Sequence, residues 1–248
     1  MTRGAVSLLV SIVAASLSLA TAEAEPTRLM VRAQSLDAKF IGTHTGGVDV
    51  TLTDVRSGKV LASGSITGGT GDTERIMQKS RKRGQSLADD TTAGYEAVLD
   101  LKEPTLVRVD AHGPLGAPSA AITVSSTLWM LPGRDVRGDG LILTFPGLII
   151  EPGLTRQPDG MVRITAKVTM MCGCPITPGG LWDSNQYQIR AEILKGGAVV
   201  ETVPLAYTGQ PSQFTSGSIP VDRAWTAARV IANSSSAANA GVAELPLK

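Results

Sequence analysis

The chain has 248 residues, 23 basic and 22 acidic, with 4% aromatic side chains and only two cysteines. Near-neutral charge excludes a nucleic-acid binder or a protein drawn to anionic membrane surfaces. Two cysteines exclude a disulfide-dense scaffold, so the fold must rest on cores of Val, Ile, Leu and Ala.

The first element predicted is a secretory signal over residues 1–22. Arg3 precedes an uncharged apolar run from Ala5 to Ala20, and Ala20-Thr21-Ala22 supplies the small residues of a cleavage site. No later stretch has the ~18 apolar residues needed to span a bilayer. The expectation is a periplasmic or secreted protein without a membrane span. Removing Arg3 leaves 22 basic against 22 acidic residues, net zero.

Alternation of apolar and polar residues then dominates. Leu29–Ala33, Gly47–Thr53, Lys59–Ser63, Tyr95–Leu101 and Thr105–Asp110 read as strands, with Asp54-Val-Arg-Ser-Gly58 as a turn. Between Thr67 and Gly94 lies a polar segment longer than usual for a structureless loop. Gly68-Gly-Thr-Gly-Asp-Thr73 within it lacks the Gly-Lys-Ser/Thr of a phosphate loop and reads as a turn. A short helix around Glu74–Lys79 and a basic group come next. Lys79, Arg81, Lys82 and Arg83 are either a solvated excursion or a docking arm for an acidic partner in the periplasm.

In the second half, 141–145, 161–170, 186–194, 198–203 and 227–232 read as strands, with Lys195-Gly-Gly197 as a tight hairpin turn. The fold class expected is all-β: two antiparallel β-sandwiches, residues 23–125 and 126–248, after the signal peptide. The stretches Ala38–Gly42, Gly46–Gly58 and Val60–Gly64 resemble the transthyretin-like or carboxypeptidase-regulatory-like β-sandwich modules of exported bacterial proteins. That resemblance, over about residues 27–125, implies a binding or spacer module. The Tyr-Arg-Gly-Ser motif of the purine-hydrolysing members is missing, so no catalytic site is implied. The second half resembles a generic immunoglobulin-like sandwich.

The chemistry-bearing stretch is Val168-Thr-Met-Met-Cys-Gly-Cys-Pro175. Strand alternation puts Val162, Ile164, Ala166, Val168 and Met170 on one face and Met171 on the other. A fully extended Cys172-Gly173-Cys174 would hold its Cβ atoms ~7 Å apart, whereas a disulfide needs about 3.5–4.5 Å. A bend at Gly173 would bring the sulfurs together. Three readings stay open: a buried or simply bridged pair, a soft-metal site, and a redox pair. Soft thiolate and thioether ligands select Cu(I), so copper is the cofactor considered. The ligand set is Cys172 and Cys174 with Met170 or Met171, and His112 and Met130 as outer candidates. His44, in a Gly/Thr loop, ranks below His112.

No Gly-x-Ser-x-Gly elbow is present, and two histidines leave few general bases. The expected function is a periplasmic binding protein, for copper binding or delivery. The alternative is a non-catalytic accessory module of a periplasmic complex, with the cysteine pair structural or redox-active.

Overall fold

The computed structural model describes residues 23–220, 222 and 224–247. The signal segment expected at 1–22 lies outside them. The described chain is all-β, with strands in four sheets.

Two sheets enclose the first core. In one, β1 (Glu25–Ser35) lies between β4 (Tyr95–Leu101), antiparallel to it, and β7 (Val136–Phe145), parallel to it. The other runs β3 (Val60–Ile66), β2 (Val48–Asp54), β5 (Thr105–Gly113), β6 (Ile122–Met130), antiparallel throughout. Alternate residues face inward, as the period of two demands: Leu29, Val31 and Ala33 from β1, Val48, Val50 and Leu52 from β2, Val107, Val109 and Ala111 from β5.

A second core lies between two further sheets. The first is built on β9 (Met161–Met170), flanked on one edge by β8 (Leu148–Arg156). On its other edge are β13 (Gln213–Thr215) and β14 (Ile219–Pro220), with β12 (Ala206–Tyr207) outside β13. The facing sheet runs β11 (Ala198–Pro204), β10 (Tyr187–Lys195), β15 (Ala227–Ser234), β16 (Ala240–Pro246).

The sequence reading divides the halves at 125. In the structure β6 and β7 complete the first pair of sheets, and the chain passes between cores at Gly147. The two cores also exchange residues. Ala38 packs in the second, while Ile149 and Met171 pack in the first. Asn239, 2% exposed, ties the halves together: its Oδ1 accepts from the Gly147 N–H at 2.9 Å and its Nδ2 donates to the Leu36 carbonyl at 3.0 Å.

The long polar segment is held rather than loose. Thr67 bridges to Gly94 and Gly69 to Thr92. Arg32, 6% exposed on β1, donates from Nη1 to the Thr92 and Ala93 carbonyls at 2.6 and 2.7 Å. Asp139 on β7 accepts from Ser86 Oγ and from the Leu87 and Ala88 N–H groups. Met77, in a single π turn over Glu74–Gln78, packs against the second core. Only Gln78–Ser86 is exposed throughout, and it carries the basic group. The segment reads as a free excursion in sequence because its anchors, Arg32 and Asp139, lie far away along the chain.

Partial burial would raise the Asp139 carboxyl, but the Ser86, Ala88 and Leu87 donors and nearby Arg32 outweigh it and hold the group below its ordinary value. A carboxylate depressed on folding stabilises above its unfolded pKa and loses that contribution as pH falls through the folded value. The anchor is therefore complete at neutral pH and released only in acid. Asp139→Ala should speed tryptic cleavage at Arg81–Arg83 about tenfold at neutral pH, matching about 1.4 kcal/mol of lost opening free energy. Separately, Asn239→Ala orphans two backbone groups and should cost about 2–4 kcal/mol, read as a lower melting temperature.

Candidate thiol site at the junction of the sandwiches

The site grows out of the end of β9. Val162, Ile164, Ala166, Val168 and Met170 are all buried toward the second core, as the alternation requires. Beyond Met170 the strand cannot continue. Gly173 takes φ +76°, and its N–H donates to the Met170 carbonyl at 2.8 Å. The Met170 N–H then donates to the Cys174 carbonyl at 3.1 Å, closing a tight turn. The turn brings the Cα atoms of Cys172 and Cys174 to 5.4 Å, and the two residues are joined as a disulfide. The bend expected at Gly173 is the one observed.

The four sulfur residues do not share one environment. Met170, Cys172 and Cys174 belong to the second core, being 0%, 1% and 6% exposed. Met171 is buried in the first core. The Tyr187 hydroxyl donates to Met170 Sδ at 3.3 Å. Burial, and after it the charge of Asp37, pushes the Tyr187 phenol up to about 12. Trp182 lies in the same core as the cysteines. Its Nε1 donates to the Asp37 carbonyl at 2.9 Å.

The outer candidates lie apart from each other. His112 is exposed on β5, its Nδ1 3.0 Å from Thr123 Oγ1, and it pairs in register with Thr123. Met130 is 1% exposed and pairs with Thr105, seven residues along the same strand, or roughly 23 Å away. One ion cannot draw on both. The histidine that does meet the cysteine loop is His44, exposed on the 3₁₀ turn Thr43–Thr45. A Cβ placed on Gly173 would stand 2.7 Å from His44 Cδ2 and 3.2 Å from its Nε2. His44 ranks low on sequence grounds because this contact joins two distant loops. The local spelling Gly-Thr-His-Thr-Gly carries no sign of it.

A cleft of about 210 Å³ opens beside this contact, lined by His44, Thr45, Gly116, Glu151, Lys167 and Gly173. Lys167 Nζ and Glu151 Oε1, register partners on β9 and β8, pair at 2.9 Å in its wall. Among the described residues no three His, Cys, Asp or Glu side chains converge as a metal-binding group. A third ligand for a reduced cysteine pair would therefore have to include a thioether or require a rearrangement of the loop.

The disulfide closes a ring spanning three residues. Chain entropy from so short a loop gives under about 2 kcal/mol, so the bridge shapes the turn locally and does not staple the fold.

No protein-family model matches the chain, and no curated protein sequence matches it either.

Gly173 is constrained twice, by its positive φ and by His44. Gly173→Ala should destabilise by about 1–2 kcal/mol from the left-handed backbone alone, and by more through the contact with His44. His44→Ala in the same chain should recover the contact part only, so the double variant should melt between Gly173→Ala and wild type.

Proposed function

We propose that the protein is an exported, non-catalytic binding module in which Cys172 and Cys174 form a thiol–disulfide element that binds Cu(I) when reduced. The observation that carries this reading is the meeting of three sulfur-bearing residues, Met170, Cys172 and Cys174, in one core at a strand end, with the two cysteines at bridging distance. Two thiolates and a thioether suit a soft monovalent ion. In the oxidised state the same pair offers no thiolate, so redox state governs binding. The first sandwich is read as a transthyretin-like or carboxypeptidase-regulatory-like module, supported by the hairpin of β2 and β3 around Asp54–Gly58.

A second reading has its own observation. Lys79, Arg81, Lys82 and Arg83 stand together on the exposed tip of an anchored loop, and of these four only Lys79 is ion-paired among the described residues, with Glu74 at 3.2 Å. A cationic tip on a fixed base is suited to docking an acidic partner. On this reading the protein is an accessory module and the disulfide is structural.

Alkylation of protein taken from the bacterial periplasm, and then Cu(I) titration against a chelator, separates the two. The metal reading expects the oxidised protein to bind none and the reduced protein about one equivalent, with Cys172→Ser or Cys174→Ser weakening it by orders of magnitude. Equal competition by reduced wild type and the double serine variant would leave the accessory-module reading.

A further inference from the structure

The outer edge of the first sandwich at β6 is unusually bare. Ile122-Thr-Val-Ser-Ser-Thr-Leu-Trp-Met130 contains no charge, glycine or proline. It pairs with β5 through nine successive residues without a register shift. Among the described residues, none of its backbone groups has a hydrogen-bond partner on the side away from β5. Such edges are normally blunted by charge, proline, bulges or a covering segment, because an open row of N–H and C=O groups templates another strand.

The other long edges here are blunted. β4 carries Glu96 and Asp100, β7 carries Arg137 and Asp139, and β8 has Glu151 and Pro152. β11 and β16 have Glu201 and Glu244, with Pro204 and Pro246 at their ends. β3 is uncharged, but its ladder is broken by a register shift, and the Tyr95 hydroxyl donates to its Ser63 carbonyl at 2.8 Å. A second observation singles out β6. Trp129, Leu131 and Val55, 60%, 48% and 47% exposed, stand at or near one end of it, and Trp129 and Val55 line one shallow cleft. Clustered exposed apolar side chains mark interaction surfaces.

We propose that β6 pairs antiparallel with β6 of a second copy of this chain, about a two-fold axis at Ser126. The strand is its own complement in that register. On the inner face Val124 meets Leu128 and Ile122 meets Met130. On the outer face Ser125 meets Thr127, and Thr123 meets Trp129. No charge opposes a charge, inner residues meet inner residues, and the half-buried Ile122, Val124 and Leu128 lose further solvent. The indole of Trp129 covers Thr123 of the other copy beside that copy's His112, which pairs with Thr123 in its own sheet. Each four-stranded sheet continues into the other, and the two-fold closes the assembly.

Sedimentation velocity of the full mature chain from low to high micromolar concentration should show a monomer–dimer equilibrium. Cys172 and Cys174 are bonded to each other, so Ser126→Cys adds the sole free thiol. Diamide should convert that variant to a covalent dimer and leave Val200→Cys, on the β11 edge, monomeric. Thr127→Glu stands opposite Arg108 in its own sheet, which the fold tolerates. In the dimer it faces Ser125 of the other copy, whose hydroxyl donates to Asp110 there. It should weaken dimerisation at least tenfold with the melting temperature unchanged. A monomer at every concentration without Ser126→Cys cross-linking would overturn the proposal, as would a dimer indifferent to Thr127→Glu. Equal cross-linking through Val200→Cys, or a different protein seated on β6 of a monomeric chain, would overturn it as well.

Discussion

The junction of the two sandwiches turns on one change of direction. Successive residues at the end of β9 are sent into different cores, Met170 into the second and Met171 into the first. In a strand this costs nothing, since neighbouring side chains already point to opposite faces. The chain must then reverse within three residues, and only glycine at position 173 allows it without strain. The cysteines on either side of that glycine are bridged because the turn puts them there. Their proximity is a consequence of how the cores are joined.

This arrangement places the bridged cysteine pair where the halves touch. His44 and Thr45 of the first sandwich press on Gly173 of the second, while Trp182 and Asn239 reach back to the carbonyls of Asp37 and Leu36. The turn at 172–174 is therefore both part of the second core and part of the contact between the sandwiches. The anchored loop over β1 and β7 extends the same logic. Buried Arg32 and depressed Asp139 hold its base, Met77 touches the second core, and its cationic tip is presented at a fixed place.

Much of this is legible in the sequence wherever burial is one-sided. Strands such as 48–54, 95–101 and 161–170 alternate cleanly because one face meets a core and the other meets water. β6, β8 and β16 are hidden for the opposite reason. Inner residues of the edge strands β6 and β16 are mostly half-buried rather than fully buried, β8 runs from buried Leu148–Ile150 out toward solvent, and Pro152, Gly153 and Gly241 sit where a central strand would exclude them. Without β6 the boundary falls at 125 instead of Gly147. The bend at Gly173 is readable from local geometry, because a Cys-Gly-Cys before proline has few other ways to end a strand. The partners of that bend are not readable. His44 and Thr45 arrive through tertiary packing, and nothing in their own neighbourhood announces it.

The central claim is that the Cys172–Cys174 turn is a local joint, closed by a short-loop bridge that contributes little to global stability. Hydrogen exchange of oxidised and reduced protein, measured residue by residue, tests it most directly. The account predicts faster exchange on reduction at residues 43–46 and 170–177, with the β5 and β10 amides unchanged and global unfolding free energy lowered by under about 2 kcal/mol. Loss of protection throughout both sandwiches, or no change at 43–46, would contradict it.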